Sequence, residues 1–129
     1  MVYDMVKAYA DQELRPRITR DFNNDHFNRR IIRDMGETLG ILGMTTMDDP
    51  VSYKTYGVSC NVLEGVDSAY RSMLSVQSSL VIYPIVKYAN ESIKARYIDG
   101  LRSGRDGSET AATNGLQRHE FRTSCVMQA

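Results

Sequence analysis

The sequence predicts an all-α fold, on three observations. Apolar residues recur at helical spacing through most of the first 104 residues. The junctions between those stretches carry capping residues, prolines and glycines in the order that helices require. No run alternates with period two between turn signals. Only SLVIY, Ser79 to Tyr83, competes as a strand, and helical patterns flank it on both sides.

Taken in order, Val2, Met5, Val6 and Tyr9 form the stripe of a first helix over Val2 to Leu14. Arg15-Pro16 is expected to end it, because a residue before proline is pushed out of the helical region. A second stripe runs through Phe27, Ile31, Met35, Leu39 and Leu42, with Asn24 or Asp25 available as a cap. Gly36, Gly40 and Gly43 weaken its far end, so the helix should stop near Gly40 to Gly43. MTTMDDP, Met44 to Pro50, reads as a connection that closes on a helix start at Asp49-Pro50. Tyr53, Tyr56, Cys60 and Leu63 then form a stripe that Gly65 terminates. Asp67 caps the next helix, which Pro84 should kink or divide. Asn90 caps a last helix with Ile93, Tyr97 and Leu101 on its buried side and Gly104 as terminator.

The segment 105–129 differs. Leu116, Phe121, Val126 and Met127 are its sizeable apolar residues, at no helical spacing, and they cannot offset the entropy of ordering it. The expected organisation is a helical domain over residues 1–104 and a disordered tail over 105–129.

Composition excludes several function classes. Lys plus Arg and Asp plus Glu are each 16, a formal net charge of zero, which argues against a nucleic-acid binder. Cys60 and Cys125 lie far apart and form neither a disulfide framework nor a zinc motif. The longest uncharged run, Ser72 to Val86, is too short and too polar to span a bilayer. The first residues lack the apolar core of a secretory signal.

The usual catalytic signatures are missing as well. There is no glycine-rich phosphate loop and no paired metal spacing. His26 and His119 stand alone, Asp48-Asp49 reads as a capped helix start, and the methionines read as packing. The helix after Asp67 holds the one informative pattern. At about 100° per residue, Ala69, Met73, Val76 and Leu80 share one face, and Arg71, Ser75 and Ser78 share the opposite one. Such a polar stripe is either a solvated surface or the wall of a cleft. In a cleft, the arginine would make a charge-assisted contact with an anionic group and the hydroxyls would fix orientation.

VDSAYRSMLSVQSSLVIYPI, Val66 to Ile85, closely resembles a segment of the acyl-CoA dehydrogenase family, in particular its glutaryl-CoA branch. The resemblance extends through LRPRI (Leu14 to Ile18), RDMGETLGILG (Arg33 to Gly43), Tyr56-Gly57 and YANESIKARYIDGLRSG (Tyr88 to Gly104). It implies the N-terminal helical domain of a three-domain, tetrameric enzyme that uses FAD to oxidise an acyl-CoA thioester and passes electrons to electron-transferring flavoprotein. It also implies that Arg71 and Ser75 contact the acyl end of the substrate. The sequence departs from the family after Gly104, where RDGSETAATNGL replaces a segment resembling G-C-F-G-L-T-E-P. The central domain, most flavin contacts and the glutamate base are therefore expected to be lacking. No catalytic, flavin-binding or metal-binding residue is assigned here, and the chain alone is expected to be inactive. Association with itself or with full-length subunits is the competing, non-catalytic expectation. By the same resemblance, the location would be the mitochondrial matrix in a eukaryote and the cytoplasm in a bacterium.

Overall fold

The computed structural model describes residues 1–107. The expectation of a disordered tail, together with His119 and Cys125, falls almost wholly outside these residues. Within them the chain is a bundle of helices without strands, as the spacing predicts.

Helix α1 (Val2–Tyr9) runs on into a π-helical turn, Ala10–Leu14, in which the Arg15 N–H reaches back five residues to the Ala10 carbonyl at 2.8 Å. Its inward row is Val6, Ala10 and Leu14, flanked by Val2 and Tyr9, whereas Met5 faces out. The helix stops where expected, but not for the expected reason. Arg15 keeps helical dihedrals (φ −57°, ψ −41°), so the residue before proline is not displaced. The break comes from Pro16 itself, which has no N–H to continue the hydrogen-bond ladder.

A short helix α2 (Ile18–Asn23) follows, which the apolar pattern does not signal. Helix α3 (Arg30–Arg33) continues into a second π turn, Asp34–Thr38. Neither Asn24 nor Asp25 caps it. Asp25 sits at φ +48° in the preceding turn, and Asn28 Oδ1 accepts the Arg30 N–H at 3.0 Å instead. Ile31, Met35, Leu39 and Leu42 are buried as their spacing requires, while Phe27 lies before the helix and is exposed. Gly40 (φ +62°) and Gly43 (φ +76°) then turn the chain through left-handed conformations.

Helix α4 (Pro50–Glu64) begins as the sequence demands, with an Asp49 oxygen accepting the Val51 and Ser52 N–H groups. Its buried row is Ser52, Ser59 and Leu63, so of the expected stripe Leu63 alone is fully buried. Tyr56 and Cys60 are half-buried beside that row and Tyr53 faces out. The Ser59 hydroxyl donates to the Thr55 carbonyl at 2.8 Å.

Helix α5 (Ser68–Ser75) is capped by Asp67 and passes without a break through a π-helical stretch, Val76–Ile82, into α6 (Tyr83–Tyr88). The division expected at Pro84 is thus a change of hydrogen-bond register just upstream of it, with the Tyr83 N–H bonded to the Ser78 carbonyl. Helix α7 (Glu91–Arg102) is capped by Asn90, whose Oδ1 accepts the Ile93 N–H at 2.9 Å, and it ends before Gly104 at φ +71°. Leu14, Ile31, Met35, Leu63, Leu74, Ile82, Ile85 and Leu101 meet in the core. Burying each such side chain contributes about 1.5–3 kcal/mol.

Candidate functional site

The tight turn Gly65–Asp67 folds α5 back against α4, with the Val66 and Asp67 N–H groups both donating to the Leu63 carbonyl at 3.0 Å. This helical hairpin sets a register. At its turn end, Arg71 Nε donates to Glu64 Oε2 at 2.8 Å. Two turns further from the bend, the Tyr56 hydroxyl and Ser79 Oγ lie 3.3 Å apart. Cys60 and Ser75 occupy the intermediate step, one turn from each pair along their own helices. The seam between α4 and α5 therefore carries polar groups along three successive turns.

The electrostatics follow from this order. The Glu64 carboxylate raises Arg71 above its usual pKa, so the guanidinium is held in the charged state. Burial pushes the Cys60 thiol up, opposed by the Tyr56 hydroxyl and the Arg71 charge. Glu64 engages the Nε edge of Arg71, and among the described residues no hydrogen-bond partner takes the two terminal nitrogens. That leaves a forked donor suited to a carboxylate or phosphate oxygen pair.

The expected stripe is only partly kept. Arg71 and Ser75 stay together, both half-buried beside α4. Ser78 is fully buried and accepts the Gly43 N–H at 3.1 Å, so it belongs to the packing. The apolar face opposite the stripe does not form the core. Ala69, Val76 and Leu80 are exposed and Met73 is half-buried, whereas Tyr70, Leu74, Gln77 and Ile82 point inward. A projection at 100° per residue allows either apolar row to face the core, and it fails beyond Ser75, where the π-helical turns take more residues per turn and so narrow the angular step. Glu64 and Tyr56 are the site residues that the stripe on α5 alone does not reveal. A pairing of α4 with α5 across the short Gly65 turn is the signal that finds them.

The family model described as "Acyl-CoA dehydrogenase, N-terminal domain" matches residues 1–105. The chain belongs to the acyl-CoA dehydrogenase family. An acyl-CoA dehydrogenase of Bacillus subtilis (strain 168) is 29% identical over an alignment covering 98% of this chain and 35% of that protein. This alignment reaches past residue 105, into the segment that the sequence reading leaves unmatched. A glutaryl-CoA dehydrogenase of Mycobacterium smegmatis, solved in complex with FADH2, superposes with a TM-score of 0.74 at 28% identity. It covers 82% of this chain and 28% of its own. A second structure of glutaryl-CoA dehydrogenase from that organism gives a TM-score of 0.73 at the same identity. The chain thus spans about a third of the acyl-CoA dehydrogenases it matches.

FAD is the family's cofactor. The two buried polar side-chain atoms without a partner among the described residues, Gln77 Oε1 and Arg102 Nε, are closed inside the packing around Gly43 and α7. Among the described residues no group of three or more His, Cys, Asp or Glu side chains is placed to hold a metal ion. No helix among them is long and apolar enough to cross a membrane.

Proposed function

We propose that residues 1–104 are the N-terminal helical domain of an FAD-dependent acyl-CoA dehydrogenase of the glutaryl-CoA type. In this reading Arg71 and Ser75 meet the acyl end of the thioester substrate. The observation that carries it is the pairing of Arg71 with Glu64 at 2.8 Å, which fixes the guanidinium while leaving its terminal nitrogens to bind a carboxylate. Flavin, catalytic base and contact with electron-transferring flavoprotein come from parts of the full-length enzyme beyond these residues. The 129-residue chain alone is therefore inactive. The location of the full enzyme follows that of its family, mitochondrial matrix in a eukaryote and cytoplasm in a bacterium.

Two measurements test this. The purified chain, mixed with FAD and glutaryl-CoA, should give no bound-flavin spectrum and no substrate-dependent bleaching, and bleaching would refute its inactivity. A chimera in which residues 1–105 replace the matching region of the Mycobacterium smegmatis enzyme should oxidise glutaryl-CoA. A folded, flavin-loaded chimera with no such turnover would count against the substrate assignment.

A second reading has its own support. Leu80 is 70% exposed and Val51 is 71% exposed, with Val76 and Val58 partly exposed on the same two helices. An apolar surface of this kind suits a non-catalytic module that associates with itself or with full-length subunits. A concentration-independent monomer by light scattering, with no affinity for a full-length dehydrogenase, would remove that reading.

A further inference from the structure

A second constrained region lies where the chain leaves α7, and it does not depend on the dehydrogenase reading. Gln77, in the π-helical stretch, is 2% exposed, and its Nε2 donates to the carbonyls of both Leu101 and Asp106 at 3.1 Å. Its Oε1 is buried without a partner. A leucine or methionine would fill the same space without burying an unpartnered Oε1. What the amide alone supplies is a two-pronged donor. One prong holds a carbonyl at the C-terminal end of α7, and the other holds the irregular segment after it.

Three glycines press on the same segment. Gly104 has φ +71°, and a Cβ there would collide with the backbone of Ile32. A Cβ on Gly36 would run into the Ser103 backbone, and one on Gly100 into the Asp106 carboxylate. The Asp106 N–H in turn donates to the Gly100 carbonyl at 3.0 Å. Residues 103–106 are thus held from α3, from α7 and from the π-helical stretch at once.

We propose that Gln77 and these glycines form a clasp that fixes the path of the chain from the end of α7 through Asp106. Gln77 is a positioning residue for residues 103–106. Native-state hydrogen exchange by NMR on the 129-residue chain tests this, with Gln77→Met and Gly36→Ala as independent variants. Gln77→Met keeps volume but removes both donors, and Gly36→Ala pushes Ser103 from the other side. In each, the amides of Gly104 and Asp106 should exchange about tenfold faster or more, because local opening governs their exchange, while α1 and α4 keep their rates. Unchanged exchange at Asp106 in both variants would overturn the clasp. So would uniform acceleration across the bundle in both variants, which would mark Gln77 and Gly36 as ordinary core positions.

Discussion

Helices α7 and α5 meet the bundle in different ways. Helix α7 offers it one face: Tyr97 and Leu101 are buried, and Glu91 and Arg96 lie outside. Helix α5 and its π-helical continuation are apolar on two faces. Tyr70, Leu74 and Ile82 fill the bundle interior, while Val76 and Leu80 form an outward row that nothing in the described residues covers. Between the two rows lie Arg71 and Ser75, at the seam with α4. A helix apolar on one side closes a core, whereas one apolar on both sides is suited to be covered twice, once by its own domain and once by another body. The residues proposed to contact substrate therefore lie on the border between the covered and uncovered faces of α5.

The sharpest way to break this contrast is to truncate one leucine from each row of α5. Leu74→Ala should destabilise the domain by about 2–5 kcal/mol in urea denaturation, from lost transfer energy plus the cavity left behind. Leu80→Ala should stay within about 0.5 kcal/mol of the parent, since its side chain is already in water. Equal effects would mean that α5 has no distinct inner face. On α7, Asn90→Ala should cost about 1 kcal/mol through loss of the acceptor for the Ile93 N–H. Asn90→Asp should retain most of that stability, because aspartate caps equally well.

The smallest effect concerns pH. The Ser52 hydroxyl and the backbone N–H groups of Ser52 and Val51 hold the Asp49 carboxyl below its ordinary value. A lowered folded-state pKa gives stability that is present above the unfolded value, about 3.9. It is lost as pH falls through the lower, folded one. Acid titration of Tm should therefore show a component below about pH 4 that is missing in Asp49→Ala.

The same contrast between helices explains what the residues could reveal. Helix α7 is legible because each signal is local and singular: one cap at Asn90, one stripe through Tyr97 and Leu101, one glycine at Gly104. Asp49-Pro50 and Asp67 are legible for the same reason. Helix α5 offers two apolar rows of similar strength, and periodicity cannot rank them. Contacts with the end of α7 and with the turn at Gly43 decide, drawing Gln77 and Ser78 inside. The π-helical turns at Ala10–Leu14, Asp34–Thr38 and Val76–Ile82 leave no mark in composition, since they follow from tertiary fit. Helix α2 is missed because its few residues carry no stripe: Phe22 is 77% exposed and Asp21 is buried. At the candidate site, α5 alone shows a stripe of Arg71, Ser75 and Ser78, from which packing removes Ser78. Glu64 is not legible there, because its role appears only when the hairpin brings α4 alongside.

The most direct test of the proposed function places Arg71→Met in the chimera with the Mycobacterium smegmatis enzyme. Turnover of glutaryl-CoA is then compared with that of an acyl-CoA of equal chain length lacking the terminal carboxylate. Loss of a charge-assisted contact should lower kcat/KM for glutaryl-CoA by about 10- to 100-fold and leave the uncharged substrate within about twofold. Equal loss for both substrates, or no loss for either, would contradict the assignment of Arg71 to the acyl end.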